Sequence, residues 1–454
     1  MKKELFSNEI TILRDTFRRL LRRRAKTNII KLIDKTHPAD LALLFRYFNE
    51  NEQEEIFNDL KPSEDAAEFL NELDESISIR LLENESPERI AQILEYASSN
   101  EQAYLMGLVD DKYATSVIDL LKAEKQEELE EMMAYPEDSA GILMYTDVFT
   151  LHEDTKAKDA IYALQDQGDA EMVFYLYTLD NDGRLTGVIS LRDLVTTNGD
   201  TMLKDIMSKQ IHVVRPETDQ EEVARIVSQY NFLAVPVVDS DERLLGIVTV
   251  EDVVDIIREE ATEDFLQMVG AGKDREILLK SSWENARMRV PWLFASWVGG
   301  ILAAFIIGVF DNVLQSTIAL AAFIPVIMGM GGNIGTQSST MIVRGLATGR
   351  VSIENSVKIL FKEIRVGLLL GILYGLLLGF FAIFRFIDAS PMIGIVVGLS
   401  ICISMIIAAT IGSLVPLILN RFEIDPAIAT GPFVTTAIDI LGVAFYFIVA
   451  GAFL

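Results

Sequence analysis

One cysteine, Cys402, and three histidines, His37, His152 and His212, occur in 454 residues. A single cysteine excludes an intrachain disulfide or a cysteine metal cluster. The histidines are far apart and form no His-based metal motif. Basic charge is scarce: 40 Lys+Arg stand against 67 Asp+Glu, a formal charge of -27. Such a surface excludes general binding to nucleic acid, because phosphate backbones are held by Lys and Arg. The first ten residues are mixed and charged and lack the apolar core of a secretory signal, so the front of the chain is expected in the cytoplasm. No nucleophile–base set is apparent, so the chain does not read as an enzyme.

What is present divides at Lys280. Beyond it there are nine Lys/Arg and eight Asp/Glu; the front then holds 31 basic and 59 acidic residues. An acidic, soluble region is therefore joined to a nearly neutral, apolar one. The apolar part contains five stretches near the length of about 20 residues that a membrane helix requires. They cover residues 290–310, 314–330, 364–386, 392–419 and 433–454, the second interrupted by Pro325 and the last opened by Pro432. Arg287, Arg289, Arg344, Arg350, Lys358, Lys362, Arg365 and Arg421 cluster at one set of ends; Asp311, Arg385 and Asp388 lie at the other. Positive residues favour the cytoplasmic side, which predicts a multi-pass protein of the cell membrane, N-terminus inside and C-terminus outside.

Inside this region Asp439 is the only acidic residue read as lying well within a span. A carboxylate there is costly and faces water or a bundle interior. Thr435 and Thr436 precede it by four and three residues, giving a polar stripe suited to a hydrated cation. Gly367, Gly371, Gly375 and Gly379 recur every four residues in the third stretch, which predicts a close packing seam. The run at 329–339, Gly-Met-Gly-Gly-Asn-Ile-Gly-Thr-Gln-Ser-Ser, is read as a pore-side element. It is no P-loop, because no Gly-Lys-Ser/Thr follows.

The acidic region contains a repeat. Residues 179–195 match 238–254 with a constant offset of 59. Each copy reads as strand, acidic turn, strand and helix start, and Ser190 to Asp193 and Thr249 to Asp252 both fit a helix-capping spacing. This resembles a tandem CBS pair, two small α/β motifs, at residues 138–257. The resemblance implies an adenine nucleotide such as ATP, with Asp193 or Asp252 at the ribose, Tyr175, Phe232 and Pro236 near the base, and Arg192 among the binding residues; a pair that binds no nucleotide is the equal alternative. After it, Asp255, Glu259, Glu260, Glu263 and Asp264 place like charges four apart on one helix, which costs a few tenths of a kcal/mol per pair. A bound divalent cation would reverse that sign. Residues 28–135 read as short amphipathic helices forming an all-α superhelix. Before them, Arg14, Arg18, Arg19 and Arg22 to Arg24 form a basic helix that suits a membrane surface or the acidic domains.

The order of parts, with the run ending Gly-Gly-Asn-Ile-Gly-Thr-Gln at 337, Asp425-Pro426-Ala427 and Pro432 through Asp439 to Gly442, resembles the MgtE-type magnesium channels. That resemblance implies a multidomain homodimer in the lipid bilayer: basic helix 1–27, helical domain 28–135, CBS motifs 136–199 and 200–257, connecting helix and linker 258–282, and a five-helix transmembrane domain 283–454. It implies a pore lined by the second and fifth spans, with Mg2+ held by Asp439, and with Asn333, Thr435 and Thr436 lining it. It further implies regulatory Mg2+ at Glu221, Asp252, Asp255, Glu260, Glu263 and Asp264, with the Gly141 carbonyl. Asn231 stands where the family can carry Asp, and around 98–105 the acidic ligands expected in the helical domain are mostly absent. A coupled carrier exchanging Mg2+ or Co2+ for Na+ or H+ is the rival mechanism.

Overall fold

The computed structural model describes residues 2–166, 174–272, 274, 277, 280–352, 355–387, 390–422, 424–429 and 431–454; Asp388 lies outside these. The chain forms two compact units, Met1–Ile257 and Arg258–Leu454.

The first unit begins with the helix Lys2–Arg22 and continues through nine short helices to Met132. Their ends are set by local chemistry. The Asn49 side chain accepts from Glu52 N at 3.0 Å while Glu52 returns a bond to Asn49 N, a reciprocal cap. Pro38 and Pro87 occupy first-turn positions, where the missing N–H has no cost. The basic helix packs on this superhelix: Phe17 and Leu21 are buried, and Arg18 donates to Tyr47 O at 2.5 Å. Docking on the acidic helices is thus how its inward face is used, while Arg19, Arg22, Arg23 and Arg24 remain exposed.

The repeat is visible strand by strand. β1 (Thr150–His152) runs parallel to β2 (Tyr175–Leu179), which is antiparallel to β3 (Leu185–Ser190). β4 (Ala234–Val238) is antiparallel to β5 (Leu244–Thr249), and Val214 bridges Val237 in parallel, in the place of β1. The acidic turns coincide too. Asp180 Oδ1 accepts from the N–H of Asp182 and Arg184, and Asp239 Oδ1 from those of Asp241 and Arg243, all at 2.8–2.9 Å. One continuous hydrophobic core runs from Phe17 through the helical domain into Val223, Val235, Val253 and Ile256 of the second motif. The first motif has a small core of its own around Leu176, Ile189 and Leu194.

Among the described residues the second unit holds five helices long and apolar enough to cross a membrane: Ser282–Val309, Ile318–Ala347, Ser356–Arg385, Met392–Arg421 and Pro432–Phe453, hereafter spans one to five. Two readings change. Span two lies further along the chain than residues 314–330: it opens with a 3-10 turn at Ile318–Phe323 and continues as α-helix from Ile324 to Ala347. Pro325 starts that helix instead of interrupting it, and the glycine-rich run is helical throughout. The glycine seam of span three is satisfied within the chain, by span four. A Cβ at Gly375 would sit 2.6 Å from Gly398 O, and one at Gly379 would sit 2.7 Å from Gly394 O. Backbone contact this close needs glycine on both helices. Ahead of span one, a helix runs unbroken from Val250 to Met268, so the connecting helix starts inside the second CBS motif.

Candidate functional site

Asp439 lies two turns into span five, partly exposed. Its neighbour is span two: a Cβ at Gly332 would stand 4.0 Å from Asp439 Oδ1. Ile438 fills the space left by Gly331 and Gly335 on the same helix. The glycine run therefore brings two helices together, with no side chain at Gly332 between its backbone and the carboxylate. Among the described residues no Lys or Arg forms an ion pair with Asp439. Thr435 donates back to Gly431 O and Pro432 O at 3.3 and 3.2 Å. Thr436 turns its methyl onto Gly299 of span one. On span two, Pro325, Gly329, Asn333 and Gln337 recur every fourth residue and are all exposed in the single chain. The Asn333 and Gln337 side chains on that face are costly against lipid.

Ser404 of span four was not singled out in the sequence. It is buried against the positions of Gly331 and Gly442, and its hydroxyl, like that of Ser400 one turn away, has no hydrogen-bond partner among the described residues. Only the packing reveals it, because serine in a membrane helix commonly bonds its own backbone.

The predicted regulatory carboxylates are dispersed. Asp255 is exposed and Glu260, Glu263 and Asp264 are half-buried along the connecting helix; among the described residues no three His, Cys, Asp or Glu come together as a metal ion would require. Glu263 is tied through Gln267, whose Nε2 donates to Glu263 Oε1 at 3.0 Å and to Asp425 Oδ2 at 2.8 Å. Gln267 is fully buried, and its own oxygen has no partner among the described residues. Asp425, in the loop before span five, also accepts from Ala427 N at 2.8 Å. In the first unit, Glu221 opens the helix Gln220–Tyr230, capped by Asp219 at 2.8 Å. Asn231 ends that helix at φ 55°, a left-handed conformation that asparagine tolerates. Gly141 donates its N–H to Pro216 O at 2.8 Å and lies under the Tyr135 ring, where a Cβ would be 2.5 Å from the ring carbons.

The two Ser/Thr-x-x-Asp motifs have different surroundings. Ser190 Oγ donates to Asp193 Oδ2 at 2.6 Å and caps the following helix. Asp193 lines a cavity of about 350 Å³ together with Tyr175, Phe232 and Pro236, a size suited to a small organic ligand. Arg192 is exposed and outside its wall. The sequence reading missed Tyr177 and His212, which also line it. His212 stacks on Tyr230 with ring centroids 4.1 Å apart, and lies 5.4 Å from Phe232. Burial pushes the Tyr177 phenol well above its ordinary value, so it stays neutral. Thr249 and Asp252 occupy the corresponding positions of the second motif but face the helical domain. Asn100 Nδ2 donates to Asp252 Oδ1 at 3.2 Å. Burial raises the Asp252 carboxyl, opposed by hydrogen bonds from Thr249.

Comparison with known proteins agrees with this layout. Residues 324–449 match the family described as MgtE, divalent cation transporter; residues 36–138 match the MgtE intracellular N domain, and 140–198 and 203–259 match the CBS domain. The magnesium transporter MgtE of Bacillus subtilis is 31% identical over 93% of this chain and 93% of its own length. That of Thermus thermophilus is 35% identical over 92% of this chain and 94% of its own. A crystal structure of the cytosolic domain of the Mg2+ channel MgtE in complex with ATP superposes with a TM-score of 0.51 at 34% identity, covering 54% of this chain and 99% of that one. One of the soluble part of a magnesium transporter gives 0.50 at 29%, covering 56% and 99%. The chain, a multi-pass membrane protein with a helical domain, a CBS pair and five spans, belongs to the MgtE family of magnesium transporters.

Proposed function

We propose that this chain is a magnesium-selective channel of the cytoplasmic membrane, acting as a homodimer with its C-terminus outside. Asp439 holds a hydrated magnesium ion on the path between spans two and five, with Asn333 and Thr435 around that path and Thr436 turned toward span one. The observation that carries this reading is the Asp439 carboxylate beside the bare backbone of Gly332, with no ion-pair partner among the described residues. Magnesium prefers oxygen ligands and gives up its waters reluctantly. A site of one carboxylate per copy with room around it suits an ion that keeps its shell. The exposed Asn333 and Gln337 of span two support a second copy or a water path against that face.

Cytosolic magnesium closes the channel in this reading. Without it the carboxylates Glu221, Asp255, Glu260, Glu263 and Asp264 repel; ions bound among them, with the Gly141 carbonyl, draw the connecting helix into the closed position. Moving such a gate from mostly open to mostly closed takes about 5.5 kcal/mol of differential binding, within reach of several weak sites acting together. The cavity at Asp193 takes an adenine nucleotide, supported by its size and by the relative solved with ATP.

Magnesium uptake into liposomes tests the pore. Asp439→Ala is expected to reduce uptake to that of empty vesicles while the purified protein elutes as the native chain does. Undiminished uptake would remove Asp439 from the pathway.

A further inference from the structure

The resemblance places a regulatory magnesium ligand at Asp252, and the geometry there does not fit one. Asp252 Oδ1 accepts from the Asn100 amide at 3.2 Å. Oδ2 accepts from the Thr249 hydroxyl and from Thr249 N, the latter at 3.3 Å. Both oxygens therefore already receive donors. The Ser98 hydroxyl donates to Asn100 Oδ1 at 2.7 Å, which orients the amide with its NH2 toward the carboxylate. A flipped amide would set oxygen against oxygen. An NH2 group aimed at the carboxylate is a poor neighbour for a cation that wants six oxygens around it. The adjacent acid, Glu101, accepts from Ser98 N at 2.9 Å and closes the cap of its own helix. Asp252 also lies at the first turn of the helix Ser99–Gly107, the end that favours a negative charge.

The contact extends beyond one pair. Ser99 Oγ and Thr146 Oγ1 are 2.6 Å apart, Thr146 N donates to Ser99 Oγ at 3.3 Å, and Thr146 Oγ1 donates to Glu128. The start of one helix thus touches the segment leading into the first CBS motif and the last helix of the second. We propose that Ser98, Ser99 and Asn100 form a magnesium-independent latch that holds the helical domain on the CBS pair through Asp252 and Thr146. In the first motif Asp193 faces an open cavity; in the second, its counterpart has become an intramolecular contact. Magnesium control then acts elsewhere, and this joint stays closed when the ion is removed.

The test is a distance measurement on the full chain in nanodiscs. Spin labels are placed at Glu83→Cys and Asp241→Cys, both exposed positions, in a Cys402→Ala background. For the chain with native Asn100, the distance distribution is expected to be the same in chelator and in millimolar magnesium. Asn100→Asp sets two carboxylates against each other: it is expected to open in chelator, by about tenfold in open population, and to close again with magnesium. Asn100→Leu is expected to open in both conditions. Opening of the native joint in chelator alone would overturn the latch, as would an Asn100→Asp chain indistinguishable from native. Magnesium uptake by the same samples is scored separately: uptake that ignores cytosolic magnesium removes the gate proposed above and leaves the latch standing.

Discussion

At the residue scale, the two Ser/Thr-x-x-Asp motifs show how little a local pattern says about use. Ser190 and Thr249 bond their aspartates in the same way, yet one carboxylate lines a cavity and the other is covered by Asn100. The difference lies in which element packs beside each motif. It predicts unequal roles in nucleotide binding. Asp193→Ala is expected to weaken ATP binding about tenfold, the usual cost of losing a hydrogen bond from a charged group, by isothermal titration calorimetry; an unchanged affinity would take Asp193 out of the site.

At the scale of elements, glycine spacing sets how closely the membrane helices approach. Gly371, Gly375 and Gly379 face Cys402, Gly398 and Gly394 across the seam between spans three and four, and any Cβ would run into carbonyl oxygen. Neither side can yield, because the obstructing atoms are backbone. Gly375→Val is therefore expected to destabilise the protein by about 1–3 kcal/mol, read as a lower melting temperature in detergent, whereas Gly308→Ala, in open space on span one, is expected to leave it unchanged. Span two illustrates the converse. Its glycines are poor helix formers in water, yet the run is helical throughout. In a bilayer the backbone must bond to itself, and glycine serves there by letting another helix come close. The charged ends of span three, Lys358, Lys362 and Arg365, likewise hid its first two turns from a reading based on apolar length.

For the whole molecule, acidic charge is concentrated where the gate is proposed. Neutralising Asp255, Glu260 and Glu263 to Asn or Gln removes the repulsion and the ligands together. That triple variant is expected to conduct at high cytosolic magnesium where the native chain has closed, measured by patch clamp on reconstituted vesicles. Normal closure would assign the gate to other groups. Gln267 adds a constraint to that picture, since its amide already links Glu263 to Asp425 ahead of span five. The end of the connecting helix is thus coupled to the helix carrying Asp439 through side chains of the same unit.

The membrane spans, the repeat and the prominence of Asp439 follow from local sequence, because span length, a 59-residue offset and an isolated carboxylate are properties of a single segment. The order of strand, acidic turn, strand and helix in each copy was equally legible, as it arises within a few residues; the strand register came only with the fold. The partners of those segments were decided only by the fold: Gly332 beside Asp439, Ser404 against Gly331 and Gly442, Gln267 against Asp425, and Asn100 on Asp252. Each joins residues far apart in the chain, and no periodicity or motif encodes which surface a side chain will meet once helices pack.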